Sequence, residues 1–464
     1  MLSVLFTGGA VLGYFSYGRW VNPITVLSGS WAVVSIAYFT AGASIYPLQS
    51  QVATLVILGT ASIALGAGVS SLLFRSKTDQ SLNARPAFYF SFDEKRIIRW
   101  HFLLCSTYFL YVALQLARVY PLLSQAGGLR EIFLGSAGLD FRRAYLSQRI
   151  NDMQTSFGSG GLLYALVGYL LFVGICSIFT GALLASRSKY IIAFIPLAIS
   201  GVYGIIILER ASFLYSAAIF AFSWYYFARL LHPQRDHDGR KQISKLAILG
   251  FVSLIAVIVV LPIALRQTGG GDKDTQSGPV AYLYSGIAGL NGLYLADSTL
   301  AGAYTGRSSP VPVAAPEEII GVGEGHGAWT FRGIAGIAAR LGFDVPVPPS
   351  SLYFVKTGDY DSEISNTYSY IIYFFYDGGY LGIVAFGLLF GALTQFFDMQ
   401  VLRRGVAAAI APAAIMLTTL AMSFFGLTLI RDFRYLYAAA VGFVILNTLM
   451  PAAERRDEPA QLNS

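Results

Sequence analysis

Apolar residues in this chain gather into long runs separated by polar breaks, and many of the runs are about 20 residues long, the length of helix that crosses a hydrocarbon core of about 30 Å. They stand at roughly 1–18, 24–44, 52–74, 98–120, 160–185, 189–208, 211–230, 246–265, 379–399, 407–430 and 433–451. In lipid a helix satisfies its own backbone groups, so runs of this length predict an all-α integral membrane protein of about eleven transmembrane helices. An odd number of spans puts the termini on opposite faces. The opening stretch, "MLSVLFTGGAVLGYFSYGRW", lacks a basic start and a small-residue cleavage site and reads as a retained first span, not a removed signal peptide.

Two intervals interrupt the rhythm. The first, about 121–158, contains "LREIFLGSAGLDFRRAYLSQRINDM", whose interleaved apolar and basic residues suit an amphipathic helix lying in the membrane interface. The second, 266–378, is too long for a simple connection and, with stretches such as "VAYLYSGIAGLNGLYLA", too apolar for disorder. The expected organisation is therefore spans one to eight over 1–265, a long loop or cap with amphipathic helices over 266–378, spans nine to eleven over 379–452, and a tail over 453–464. There is no internal repeat and no low-complexity segment.

Charge is scarce, at 12% of 464 residues against 55% hydrophobic, so the position of each charged residue carries information. Arg75, Lys77, Arg85, Lys95, Arg96 and Arg99 mark one loop, and Arg229, Arg235, Arg240, Lys241 and Lys245 another. Arg19, Arg187, Lys189, Arg403, Arg404, Arg455 and Arg456 fall on the same face, which makes that face cytoplasmic by the positive-inside bias. The N-terminus is then outside, the C-terminus inside, and both long loops outside. The two cysteines, Cys105 and Cys176, lie in apolar spans and read as structural.

Some arginines break this bias. Arg431 and Arg434, with Asp432 between them, occupy the short outer connection before span eleven; Arg210 lies in the short outer turn before span seven, and Arg266 ends span eight on that face. Guanidinium groups bind phosphate oxygens bidentately and stay charged at the dehydrated edge of a bilayer, so arginines converging there suit a lipid pyrophosphate. Arg431 and Arg434, three residues apart, face one side if the turn is helical, and Arg210 sits beside the N–H groups that open span seven. Each arginine also has an ordinary explanation: Arg266 favours a helix C-terminus, Arg431 and Arg434 can reach headgroups or pair with Asp432, and Glu209 can neutralise Arg210. Of the four histidines, His101, His232 and His237 fall in or beside the cytoplasmic face. His326, in "GVGEGHGAWTF", is alone outside, and a histidine can take a proton from a sugar hydroxyl near neutral pH. Glu324, Asp361, Glu363 and Asp377 are competing bases, although Asp377, before Gly378 and Gly379, also suits a helix cap. No nucleotide-phosphate loop, paired-cysteine metal site, HExxH or GxSxG is present, so neither metal nor cofactor is expected, and no nucleic-acid partner.

At "SNTYSYIIYFFYDGGYLGIVAFGLLFGA", residues 365–392, the chain resembles the Wzy-type oligosaccharide repeat unit polymerases of O-antigen and exopolysaccharide synthesis. The family's Asn-Thr-Tyr stretch, aromatic run and Asp-x-Gly-x-x-Gly turn are matched by Asn366, Thr367, Tyr368, Asp377, Gly379 and Gly382. Its arginine opening a middle span is similar to "LERASFLYSAAIF", with Leu208 and Glu209 departing from the commoner Gly-Gly, and its late outer turn is similar to 431–434. The resemblance implies an inverting glycosyltransferase, like the C-type glycosyltransferases and O-antigen ligases, at the periplasmic face of the bacterial inner membrane. Its donor and acceptor would be undecaprenyl pyrophosphate-linked oligosaccharides, and a Wzz-type chain-length regulator would be a possible partner. It carries a pyrophosphate role to Arg210, Arg266, Arg431 and Arg434, and a base role to His326. An O-antigen ligase and a non-enzymatic flippase for the same lipid-linked sugar are the rival readings.

Overall fold

The structure, a computed structural model, describes residues 2–42, 48–74, 90, 93–134, 141, 144–145, 161–206, 211–231, 286–287, 290, 326–345, 355–356, 364–365, 369–425 and 433–451. Helices α1 (Leu2–Tyr17) and α2 (Pro23–Ala37) form a tight hairpin. Gly18, with φ of 63°, ends the first, and Asn22 caps the second by accepting the Thr25 N–H at 2.9 Å, with Pro23 at the first helical position. The Asn22 amide also donates to the Arg19 carbonyl at 2.6 Å, so one side chain holds both ends of the turn. A π-helical turn, Tyr38–Gly42, continues α2.

The remaining α-helices among the described residues are α3 (Ser50–Leu73), α4 (Glu94–Gln125), α5 (Gly128–Leu134), α6 (Gly161–Ser186), α7 (Tyr190–Ala193), α8 (Ile195–Ile206), α9 (Ala211–Leu231), α10 (Arg332–Arg340), α11 (Ile371–Leu402), α12 (Ile410–Ala421) and α13 (Phe433–Leu449). Strands β1 (Val355–Lys356) and β2 (Ile364–Ser365) pair antiparallel, and they are the only strands among the described residues. Every apolar run read from the sequence overlaps described helix except the eighth, about 246–265, which lies outside the described residues. Among the described residues, four helices are long and apolar enough to cross a membrane: Pro23–Thr40, Ser50–Leu73, Glu94–Gln125 and Ile371–Leu402. Shorter apolar helices, among them Leu2–Tyr17 and Tyr435–Leu449, accompany them, and the architecture is that of an all-α membrane protein.

Of the three hydrophobic cores formed among the described residues, two are the larger. One joins α4, α6, α9, α12 and α13 through Phe179, Phe213, Phe220, Tyr226 and Ile415; the other joins α1, α2, α3 and α11 through Trp31, Val52, Tyr370 and Phe374. Helix α3 meets α11 at very close range, because Gly66 lies against the Leu388 carbonyl and Gly391 against that of Ile63, where a Cβ atom would not fit. Small residues of this kind let membrane helices gain van der Waals contact that lipid tails cannot offer. Val4, Leu65, Leu72 and Phe109 are exposed apolar side chains of the sort that face lipid.

His101, expected in or beside the cytoplasmic face, is a fully buried core residue of α4. Its Nδ1 lies 2.9 Å from Thr180 Oγ1 on α6 and its Nε2 2.9 Å from the Ile192 carbonyl on α7. Both ring nitrogens are thereby satisfied inside the bundle, as a buried polar side chain requires. His232 and His237 lie outside the described residues.

Candidate functional site

Helix α11 is two limbs. A continuous α-helix would separate Phe374 from Phe390 by roughly 24 Å, yet their ring centroids are 5.5 Å apart, and Phe374 is equally close to Phe386. The chain doubles back at Gly378 and Gly379, where the backbone leaves helical geometry; Gly379 has φ of 59° and ψ of −145°, a conformation open essentially to glycine alone. Gly382 then lies against the Phe374 carbonyl, with no room for a Cβ atom. The span read as opening at 379 is thus preceded by a buried helical limb, Ile371–Asp377.

Asp377 stands at the tip of this hairpin, and its carboxylate caps a different segment from its own helix. The Trp329 N–H donates to Oδ1 at 2.9 Å and the Thr330 N–H to Oδ2 at 2.8 Å, while the His326 N–H donates to the Asp377 carbonyl at 3.2 Å. One aspartate therefore binds three backbone amides of the turn that carries His326. Asp377 is only 3% exposed and both its oxygens are engaged, so its place is to hold that turn. Trp329, fully buried, packs on Tyr376 with ring centroids 5.0 Å apart, and Phe331 meets Phe386 edge-on at 6.0 Å. His326 itself is exposed, with φ of 47° in the left-handed region. A rigid, strained turn thus presents an imidazole at the surface, a suitable arrangement for proton transfer to or from a bound molecule.

Two helix openings come together, and one of their helices, α13, touches α10. The rings of Tyr215 and Tyr435, near the starts of α9 and α13, lie 6.4 Å apart. At the other end of the bundle, Tyr226 on α9 donates its hydroxyl to Asp398 Oδ1 on α11 at 2.9 Å, which orients α9 alongside the long limb of α11. The residue preceding α9 is Arg210, and Arg434 is the second residue of α13, its side chain not described. Arg210, Arg266 and Arg431 lie outside the described residues, as do Glu324, Asp361, Glu363, Asn366, Thr367 and Tyr368. The site assembled among the described residues is the Asp377 clamp with His326, followed by α10, which touches α13, the helix that contains Arg434.

Asp398 stands out in the structure but not in the apolar pattern. It is fully buried near the end of α11, paired with the Arg19 guanidinium through Oδ2 and with Tyr226 through Oδ1. Burial works against the charge on Arg19, but the Asp398 carboxylate, with Tyr225 and Tyr226 beside it, holds that guanidinium charged well above its usual range. The available signal was a single aspartate inside an apolar run, since an ionisable residue at such a place needs a partner. No metal-binding group of three or more histidine, cysteine, aspartate or glutamate side chains occurs among the described residues. No protein-family model, curated protein or solved structure matches the chain.

Proposed function

We propose that the chain is a polysaccharide polymerase of the Wzy type, a metal-independent glycosyltransferase of the bacterial inner membrane with its N-terminus in the periplasm. The observation that carries this reading is the Asp377–Gly379–Gly382 hairpin. The stretch that resembles the polymerases does physical work here: Asp377 clamps the His326 turn, Gly379 permits the reversal, and Gly382 permits the limbs to touch. The helix openings next to Arg210 and containing Arg434 come together, and α13 touches α10, which supports a shared site.

In the proposed reaction His326 accepts the proton of an acceptor-sugar hydroxyl on one lipid-linked repeat unit. The freed oxygen attacks the anomeric carbon of the growing chain, the bond from that carbon to the pyrophosphate oxygen breaks, and undecaprenyl pyrophosphate leaves with the bonding electrons. A single displacement inverts the anomeric centre. Arg210, Arg266, Arg431 and Arg434 stabilise the negative charge gathering on the leaving group, a role in which one lost donor costs about 3–4 kcal/mol of barrier. Asp377 contributes by holding the base-bearing turn.

Ladder formation from purified lipid-linked repeat units tests the assignment, with donor binding measured separately. Arg210→Ala is expected to abolish ladders and Arg210→Lys to restore them poorly, because lysine loses the planar fork. His326→Ala is expected to bind donor normally and to slow turnover by about 100-fold or more. Near-normal ladders from both alanine variants would remove the mechanism. Transfer to a lipid A core acceptor without chain growth would identify a ligase instead.

A further inference from the structure

Helix α10 (Arg332–Arg340) presents an apolar stripe to the outside of the protein. Ala335 is buried, whereas Ile334 is 51% exposed, and Leu341, the first residue past the helix and seven on from Ile334, is 72% exposed. The helix ends in a left-handed Gly342, φ of 90°, with the Phe343 N–H donating to the Ala338 carbonyl at 3.1 Å, and Phe343 emerges 63% exposed. Such an end is a Schellman-type cap that normally brings its trailing apolar residue onto the helix. Here the large apolar residues at 334, 341 and 343 stay uncovered together.

What covers them follows from the neighbours. The turn leading into α10 is bound to the tip of the α11 hairpin through Asp377, and Phe331, just before the helix, lies against Phe386 of α11. At that same tip, Tyr380 and Leu381 are 50% and 79% exposed on a helix long and apolar enough to span a membrane. The stripe on α10 therefore adjoins the lipid-facing start of α11. Arg332 and Arg340 bracket the helix in sequence, the arrangement of an amphipathic segment whose apolar face lies about 5–10 Å into the headgroup and acyl boundary.

We infer that α10 is an in-plane membrane helix that docks Ile334, Leu341 and Phe343 into the lipid surface and so holds the His326 turn at headgroup level. The occupant is the bilayer surface. The inference does not depend on the glycosyl-transfer reading, since it concerns where the turn sits and not what it does. On the proposed function it also gives the Asp377 clamp a physical purpose: a base fastened both to α11 and to the bilayer stays level with a lipid-borne substrate.

The test uses the full chain in nanodiscs of mixed zwitterionic and anionic phospholipid. Ile334→Cys, Leu341→Cys and Phe343→Cys, made with the buried Cys105 and Cys176 replaced by alanine, carry a nitroxide label, and Asp344→Cys serves as the water-side reference. Power saturation is expected to show severalfold greater collision with oxygen than with a water-soluble nickel chelate at 334, 341 and 343, and the reverse at 344. Chelate access at all three equal to that at 344 would overturn the inference. So would labels shielded from both reagents, because that marks a protein partner or a second copy on this face. Absence of ladder formation from the unsubstituted chain, with normal labelling of the variants, would count against the polymerase reading and leave the docked helix standing.

Discussion

Two buried aspartates on one helix, Asp377 and Asp398, do opposite work at opposite ends of α11. Asp377 accepts from the neutral backbone N–H groups of Trp329 and Thr330, so it positions a turn. Asp398 pairs with the guanidinium of Arg19 and the hydroxyl of Tyr226, so it ties α1 and α9 to α11. A carboxylate bound to amides leaves a segment that water can reach if the contact fails. A carboxylate bound to a largely buried cation leaves an uncompensated charge. The first is a device for presenting a side chain, and the second is a lock.

Asp398→Ala is the most damaging way to break the contrast. It strands the Arg19 guanidinium and is expected to destabilise the protein by about 3–5 kcal/mol, read as a lowered unfolding midpoint in detergent. Arg19→Met combined with Asp398→Leu is expected to recover most of that loss, because neither charge is then left alone. Equal damage from the single and double variants would show that packing, not charge, holds this end. The pH dependence follows from the raised Arg19 value. A group raised on folding contributes fully below its unfolded value and loses that contribution only as pH rises through the folded one. Both lie above the range in which proteins are handled, so the Arg19 contribution is expected to be flat from neutral to mildly alkaline pH.

Asp377→Ala is expected to cost less, on the order of 1–3 kcal/mol, because the two freed N–H groups can find water once the turn opens. Hydrogen exchange at the Trp329 and Thr330 amides should rise sharply while exchange at the Arg19 end stays unchanged. Unaltered exchange at 329 and 330 would contradict the clamp. Gly379→Ala attacks the same device from the other limb and is expected to cost a similar amount, about 1–3 kcal/mol, through backbone strain.

The smallest effect on stability belongs to the residue with the largest proposed effect on chemistry. His326 pays for its left-handed backbone, and His326→Gly is expected to be neutral or to stabilise by up to about 1–2 kcal/mol while ladder formation falls as it does in His326→Ala. Destabilisation by that glycine would mean that the imidazole makes a supporting contact, not a presented one.

The apolar runs made most of the helices legible, because lipid demands about 20 apolar residues per crossing and leaves little freedom about where they begin. The α11 hairpin was not legible in the same way. Its short limb, Ile371–Asp377, is as apolar as the span it folds onto, and hydropathy cannot distinguish a continuation from a reversal. The glycines at 378, 379 and 382 were visible, but their task depends on ψ at Gly379 and on the carbonyl of Phe374, both set by the fold. His326 was legible as a lone outer histidine in a glycine-rich stretch, whereas its dependence on Asp377, some fifty residues away, was not.

The sequence alone determined that this is a helical membrane protein, and it marked Asp377 and His326 as residues of interest, because hydropathy and scarce charge act locally along the chain. Only the tertiary structure decided that Asp377 caps a turn it does not adjoin, that Asp398 needs Arg19, and that the helix openings at Ala211 and Phe433 come together. Buried hydrogen bonds and ion pairs are satisfied between segments far apart in the chain, and no spacing rule within one segment encodes its partner.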